Sequence, residues 1–245
     1  VARPREGQKS EEVTVTFDTM QARLGAVKER LAAAERAAGR PEGSVRLVCV
    51  SKMHPASAIR EAYALGERRF GENYAQELAE KAEELADLRD IEWHFIGHLQ
   101  SNKAKIVAKY AHVVHSVDSA SLAAELGKRA RATGRTDLPL RVLVEVNVGG
   151  EAQKSGVEPS ELPDVLARVR TEEGLALVGL MSMPPADDLE AARRVFSTLR
   201  TLRNVTAPGL PELSMGMSAD MEVAVAEGAT YVRVGTAIFG ERQKS

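Results

Sequence analysis

Leu47-Val48-Cys49-Val50-Ser51-Lys52 is an apolar run that stops on a single lysine. It is short, rich in β-branched residues and bounded by Gly43 and Pro55, which predicts a buried strand of a parallel sheet rather than a helix. Side chains alternate across a strand, so Val48, Val50 and Lys52 share one face. At the C-terminal end of a first barrel strand, that face is where parallel α/β folds keep their active sites. Partial desolvation there would lower the ammonium pKa and free an amine for Schiff-base chemistry with a carbonyl. On the hexapeptide alone, a strand-end lysine snorkelling into water is the better reading. The rest of the chain has to shift that balance.

Downstream, helical and strand patterns alternate. Pro55 opens a helix that runs to Gly66, and Arg69 to Asn73 is a second strand. A charged helix from Tyr74 to Ala86 is followed by a strand at Glu92 to Gly97 and by a basic helix capped by Ser101. Val113 to Val117 leads into a helix begun by Asp118 or Ser119. Arg141 to Val148 is predicted as the fifth and longest strand, with a helix at Pro159 to Arg170. A sixth strand at Ala176 to Met183, a helix at Leu189 to Leu202, a seventh strand at Leu213 to Gly216, a helix at Ser218 to Glu227 and an eighth strand at Tyr231 to Gly235 complete the series. About eight such units predict an α/β protein built as a (β/α)₈ TIM barrel. Upstream, Met20, Leu24, Val27 and Leu31 recur at helical spacing and give the barrel an extra N-terminal helix. Residues 1–16, with Pro4, Gly7 and mixed charge, are expected to be a mobile arm, leaving 17–245 as a single barrel domain.

The chain of 245 residues is 44% hydrophobic, enough for a large core, and its formal net charge of -2 offers no long-range pull on nucleic acid or anionic membrane. No apolar stretch approaches the roughly 20 residues that span a bilayer. A single cysteine, Cys49, sits inside the first strand and reads as a buried hydrophobe. The expectation is a cytoplasmic protein with a small-molecule ligand.

At the strand ends, Glu145 and Asn147 alternate with Val142, Val144, Val146 and Val148, so they face the barrel interior near its rim, as a structural network or as ligand contacts. His94 and His98 share a strand face but lie roughly 13 Å apart along it, too far for one metal ion. His98 is then a rim residue, and His94 a satisfied core histidine. Two glycine-containing loops, Ser214-Met215-Gly216-Met217-Ser218 and Gly235 to Gly240, follow strands seven and eight, where barrels often bind phosphate. Asp220 and Glu222 would repel an anion at the first, which makes the second the main cradle. Arg233 points inward beside it, with a buried ion pair to Glu145 as the other reading. Lys103, Lys105 and Lys109 read as a solvated helix face, and Lys154 as a loop residue near the site.

Taken in order, Val-Ser-Lys at 50–52, Phe-Gly-Glu-Asn at 70–73, Trp-His-Phe-Ile-Gly-His-Leu-Gln-Ser-Asn-Lys at 93–103, Lys-Ser-Gly at 154–156, Gly-Leu-Met at 179–181, Ser-Met-Gly-Met-Ser at 214–218 and Val-Arg-Val-Gly-Thr-Ala-Ile-Phe-Gly at 232–240 form a specific set. The chain resembles the pyridoxal 5′-phosphate homeostasis protein family from about Asp18 to Arg242. Met53-His54 stand where that family often carries a second lysine. The family looks like the alanine racemase N-terminal barrel standing alone. The resemblance implies pyridoxal phosphate (PLP) as cofactor, held as a Schiff base on Lys52. It further implies phosphate contacts from Ser214, Gly235 and Thr236 with Met215 in the same site, an Arg233 contact to the pyridine nitrogen, and Asn73 and His98 close to the cofactor. An arginine at that nitrogen disfavours its protonation and weakens the ring as an electron sink. The sequence runs only a few residues past the eighth barrel unit, so a second domain supplying a racemase's other acid/base group is not expected. The expected role is therefore a carrier that buffers PLP or delivers it to apo PLP-dependent enzymes. A weak amino-acid racemase, a cofactor-free Schiff-base aldolase and a scaffold for apo-enzymes are the alternatives.

Overall fold

A strand buried on both faces needs a helix on its outside and a filled interior, and eight in succession solve both needs by closing on themselves. The computed structural model describes residues 18–134, 138–149, 155–186 and 188–241. Residues 1–16 and Lys154 lie outside them. The strands are β1 (Arg46–Val50), β2 (Arg69–Glu72), β3 (Glu92–Phe95), β4 (Val113–Val117), β5 (Leu140–Glu145), β6 (Leu175–Met181), β7 (Glu212–Ser214) and β8 (Tyr231–Val234). They form one closed parallel barrel in chain order, with β8 pairing back onto β1. The helices between them are α2 (Ala56–Ala64), α3 (Ala75–Glu84), α4 (Ala104–Tyr110), α5 (Ala120–Ala132), α6 (Leu162–Arg170), α7 (Leu189–Thr206) and α8 (Met221–Ala226). The expected extra helix, α1 (Met20–Ala37), starts at a Thr19 cap and packs on α8 and on a last short helix, α9 (Thr236–Phe239).

The period-2 pattern sorts the strand residues. Leu47, Cys49, Phe70, Trp93, Phe95, Val142, Val144, Val232 and Val234 join the large cluster shared with the helices. Val113, Leu143 and Met181 form a separate cluster on the opposite, interior face. Burial pushes the Cys49 thiol well up, so it is an inert core group.

Several bounds differ from the expected elements, three of them with a specific local cause. β5 stops at Glu145 instead of Val148, and β6 is the longest strand. The segment after Gly156 turns back here, with Val157 N–H donating to Glu145 O at 2.8 Å and Asn147 N–H donating to Val157 O at 3.0 Å. Ser101 caps no α-helix. It begins a 3₁₀ turn closed by Lys103 N–H on Gln100 O at 2.9 Å, and α4 follows. α7 runs on to Thr206 from an Asp188 cap whose Oδ1 accepts the Ala191 N–H at 2.8 Å.

Candidate functional site

At the C-terminal mouth, a cavity of about 290 Å³ is walled by Lys52 and His54 after β1, Asn73 after β2, Met217, Ser218 and Ala219 after β7, and Gly235 and Thr236 after β8, with Arg233 also lining it. Three local features put Lys52 there. Ser51 turns outward and its Oγ donates to Glu72 Oε1 at 2.6 Å, His54 N–H closes a turn on Ser51 O at 3.1 Å, and Met53 takes a left-handed backbone with φ 61°. Met53 N–H donates to Glu77 on α3. Behind this turn lies Lys81, only 7% exposed, whose Nζ donates to Ser51 O (2.7 Å), Glu72 Oε1 (2.8 Å) and Glu77 Oε1 (2.8 Å). Burial raises the Glu72 carboxyl to about 7 against the opposing pull of Lys81. Lys81→Met would strand a fully buried carboxylate, and loss of one partner of such a pair costs about 3–5 kcal/mol. Chemical denaturation should show that loss, and adding Glu72→Leu should recover part of it.

The second cradle loop has the form an anion needs. Gly235 packs on β1 so closely that a Cβ would lie 3.1 Å from Val50 O and 3.3 Å from Val50 Cβ. Ile238 and Phe239 N–H turn back on Gly235 O at 2.8 and 3.0 Å. Thr236 and Ala237 begin the helix, where amides have no carbonyl partner within it. In the first loop, Met217 N–H already donates to Asp220 Oδ1 at 2.6 Å, while Glu222 is drawn outward to Arg30 on α1. The loop therefore offers the Ser218 side chain, and its two carboxylates are engaged elsewhere.

Ser214 and Met215 are not at the cavity wall. Gly216, with φ 95°, reverses the chain, so that Met215 packs fully buried in the outer core and Ser214 lies beneath Arg233. Arg233 Nη1 donates to Ser214 Oγ at 2.6 Å and Nη2 to Ser182 O at 3.3 Å. The alternative partner, Glu145, acts on it as a nearby charge, and burial raises the Glu145 carboxyl to about 7. Burial also pulls the Arg233 guanidinium down to about 10, which leaves it a cation at neutral pH. Asn73 has a buried Oδ1 with no hydrogen-bond partner among the described residues. Gly97 passes beneath Asn73 with so little room that a Cβ would meet Asn73 O at 2.2 Å. His98 is placed apart, in an adjoining cavity of about 420 Å³ that shares Asn73, with Nδ1 3.3 Å from Asp118 Oδ2 and from Ser155 Oγ.

Sequence reasoning missed what lies under this floor. His94 Nδ1 is 2.8 Å from His115 Nε2, His94 Nε2 is 2.7 Å from Glu92 Oε1, and His115 Nδ1 is 2.8 Å from Ser214 Oγ. His94 is a satisfied core histidine, as expected, but in a longer chain of contacts. His115, a titratable side chain beside Ser116 in a strand otherwise made of valines, was the available signal.

These residues fit a phosphorylated aldehyde: an amine on one wall, a glycine-floored helix start on another, and a cation between them. The family model for the alanine racemase N-terminal domain matches residues 8–243. A pyridoxal phosphate homeostasis protein of Pseudomonas aeruginosa is 47% identical over 227 residues, covering 92% of this chain and 97% of that one. One of Aquifex aeolicus is 45% identical, covering 90% and 97%. The structure of PipY of Synechococcus elongatus with PLP bound superposes with a TM-score of 0.78 at 38% identity, over 91% of this chain and 100% of that one.

Proposed function

Because the chain belongs to the alanine racemase N-terminal domain family, and within it to the pyridoxal phosphate homeostasis proteins, we propose that it binds PLP and serves cofactor homeostasis by buffering or delivery. The observation that carries the reading is the single cavity that brings together Lys52, Arg233 and the start of α9. When bound, the cofactor supplies an electrophilic aldehyde carbon. Lys52, as the neutral amine, would be the group that condenses with it. Thr236 and Ala237 amides and the Ser218 hydroxyl hold the phosphate, joined by the dipole of the helix end. Asn73 Oδ1 is left to meet a donor on the ligand. Arg233, a cation at neutral pH, would hold the ring nitrogen as a donor, which would disfavour its protonation and so disfavour carbanion chemistry.

A carrier gives its cargo up. PLP-loaded protein mixed with an apo PLP-dependent enzyme should restore that enzyme's activity, with loss of the cofactor's absorbance from the donor. Robust turnover of alanine or another amino acid by the purified protein, abolished in Lys52→Ala, would replace the carrier reading with a racemase. No helix among the described residues is long and apolar enough to cross a membrane.

A further inference from the structure

The buried contacts below Arg233 admit one arrangement of protons. An arginine side chain only donates, so Ser214 Oγ accepts from Arg233 at 2.6 Å and its own proton must go elsewhere. At the other end is Glu92. Burial works against its charge, but His94 and Arg141, the latter at 2.9 Å, hold it well below the usual carboxylate range, and it only accepts. Each neutral imidazole between them has one N–H and one lone pair. The assignment from either end then coincides: Ser214 O–H donates to His115 Nδ1, His115 Nε2–H to His94 Nδ1, and His94 Nε2–H to Glu92 Oε1. Every proton has an acceptor and none is spare. Charging either ring would set two N–H groups against each other or orphan the serine proton, and burial already lowers both imidazole pKa values.

We propose that Glu92, His94 and His115 are positioning residues for the cofactor, a one-directional hydrogen-bond relay that fixes Ser214 as acceptor and so fixes the guanidinium edge Arg233 presents to the ring. This rests on the reading that Arg233 meets the pyridine nitrogen. The consequence is that a carboxylate at the N-terminal end of the barrel, paired with Arg69 and Arg141 and absent from the cavity wall, governs how firmly the ring is held at the other end. Hydrogen bonds of the relay polarise one another along its length, which lets the far group act through the near one.

Two measurements test it. In cofactor-free protein at pH 7, ¹⁵N spectra of selectively labelled histidine should show His94 and His115 both neutral and both protonated at Nε2. Protonation of Nδ1 on either ring overturns the relay. In PLP-loaded protein, Glu92→Leu and His115→Phe should speed cofactor release about tenfold, the equivalent of one net hydrogen bond, and shift the bound cofactor's absorbance. Glu92→Gln, whose amide oxygen still accepts from His94, should restore both. Arg141→Met, which removes one of the two arginines paired with Glu92 and leaves the contact to His94 in place, should change neither. Should His115→Phe fail to fold, the Leu and Gln pair at position 92 and the spectra still decide. Folded Glu92→Leu with wild-type release and spectrum overturns the relay alone; wild-type protein that takes up no PLP overturns the cofactor reading as well.

Discussion

Lys52→Ala should reduce borohydride labelling from one pyridoxyl group per chain to none, and in the wild type peptide mapping should place that group on the Lys52 peptide. The expectation rests on position more than on residue type, because lysines are numerous and most stand in water. Lys52 alone among the described lysines lines the cavity that also holds Arg233, Gly235 and Thr236. Its backbone is fixed on three sides: by the β1 pairing to β2 and β8, by the Ser51–His54 turn, and by Met53 held in a left-handed conformation by Glu77. A left-handed β-branched or long side chain is costly in itself and persists where the surroundings enforce it, here through Lys81 and its three acceptors. A pre-set turn leaves the amine little to lose on condensing with an aldehyde. Label recovered on the Lys103 or Lys154 peptide would sink the assignment. Residual, unlabelled PLP binding in Lys52→Ala is compatible with it, since the phosphate cradle is untouched by the substitution.

The barrel and the position of Lys52 at the mouth of its first strand were legible because both rest on local pattern, although that pattern by itself left the lysine's role open. Alternation along β1 and β5 tells which side chains meet the helices, and the regular strand and helix succession tells how the sheet closes. What lay beyond reach depends on register between distant strands or on one backbone reversal. His115 and Ser214 are 99 positions apart and meet only because β4 and β7 both border the same filled interior. Ser-Met-Gly-Met-Ser offers two serines, and it is the positive φ of Gly216 that sends Ser214 under Arg233 and Ser218 to the cavity. Lys81 reads as one more charge on a solvated helix, yet α3 aims it at the end of β1. Strand spacing puts His98 at the rim, and the family resemblance adds a place near the cofactor; Gly97 carries the chain beneath Asn73, so His98 lines the adjoining cavity that shares Asn73.

Pyridoxal should bind about 10²–10⁴-fold more weakly than its phosphate ester. Removing the phosphate forfeits charge-assisted hydrogen bonds from the start of α9 and from Ser218, each worth about 1.5–3 kcal/mol, and two of them account for this range. The opposing charges in the neighbourhood do not cancel the gain. Asp220 is occupied by the Met217 amide, and Glu222 is paired with Arg30 outside the barrel. Spectral titration with the two compounds measures the ratio, and equal affinities would contradict the cradle. Gly235→Ala separates cradle from amine: its added Cβ would press on Val50 O at 3.1 Å and tilt the start of α9 away from β1. The variant should therefore lose affinity for the phosphate ester while its affinity for pyridoxal, which depends on Lys52 and Arg233, stays where it was.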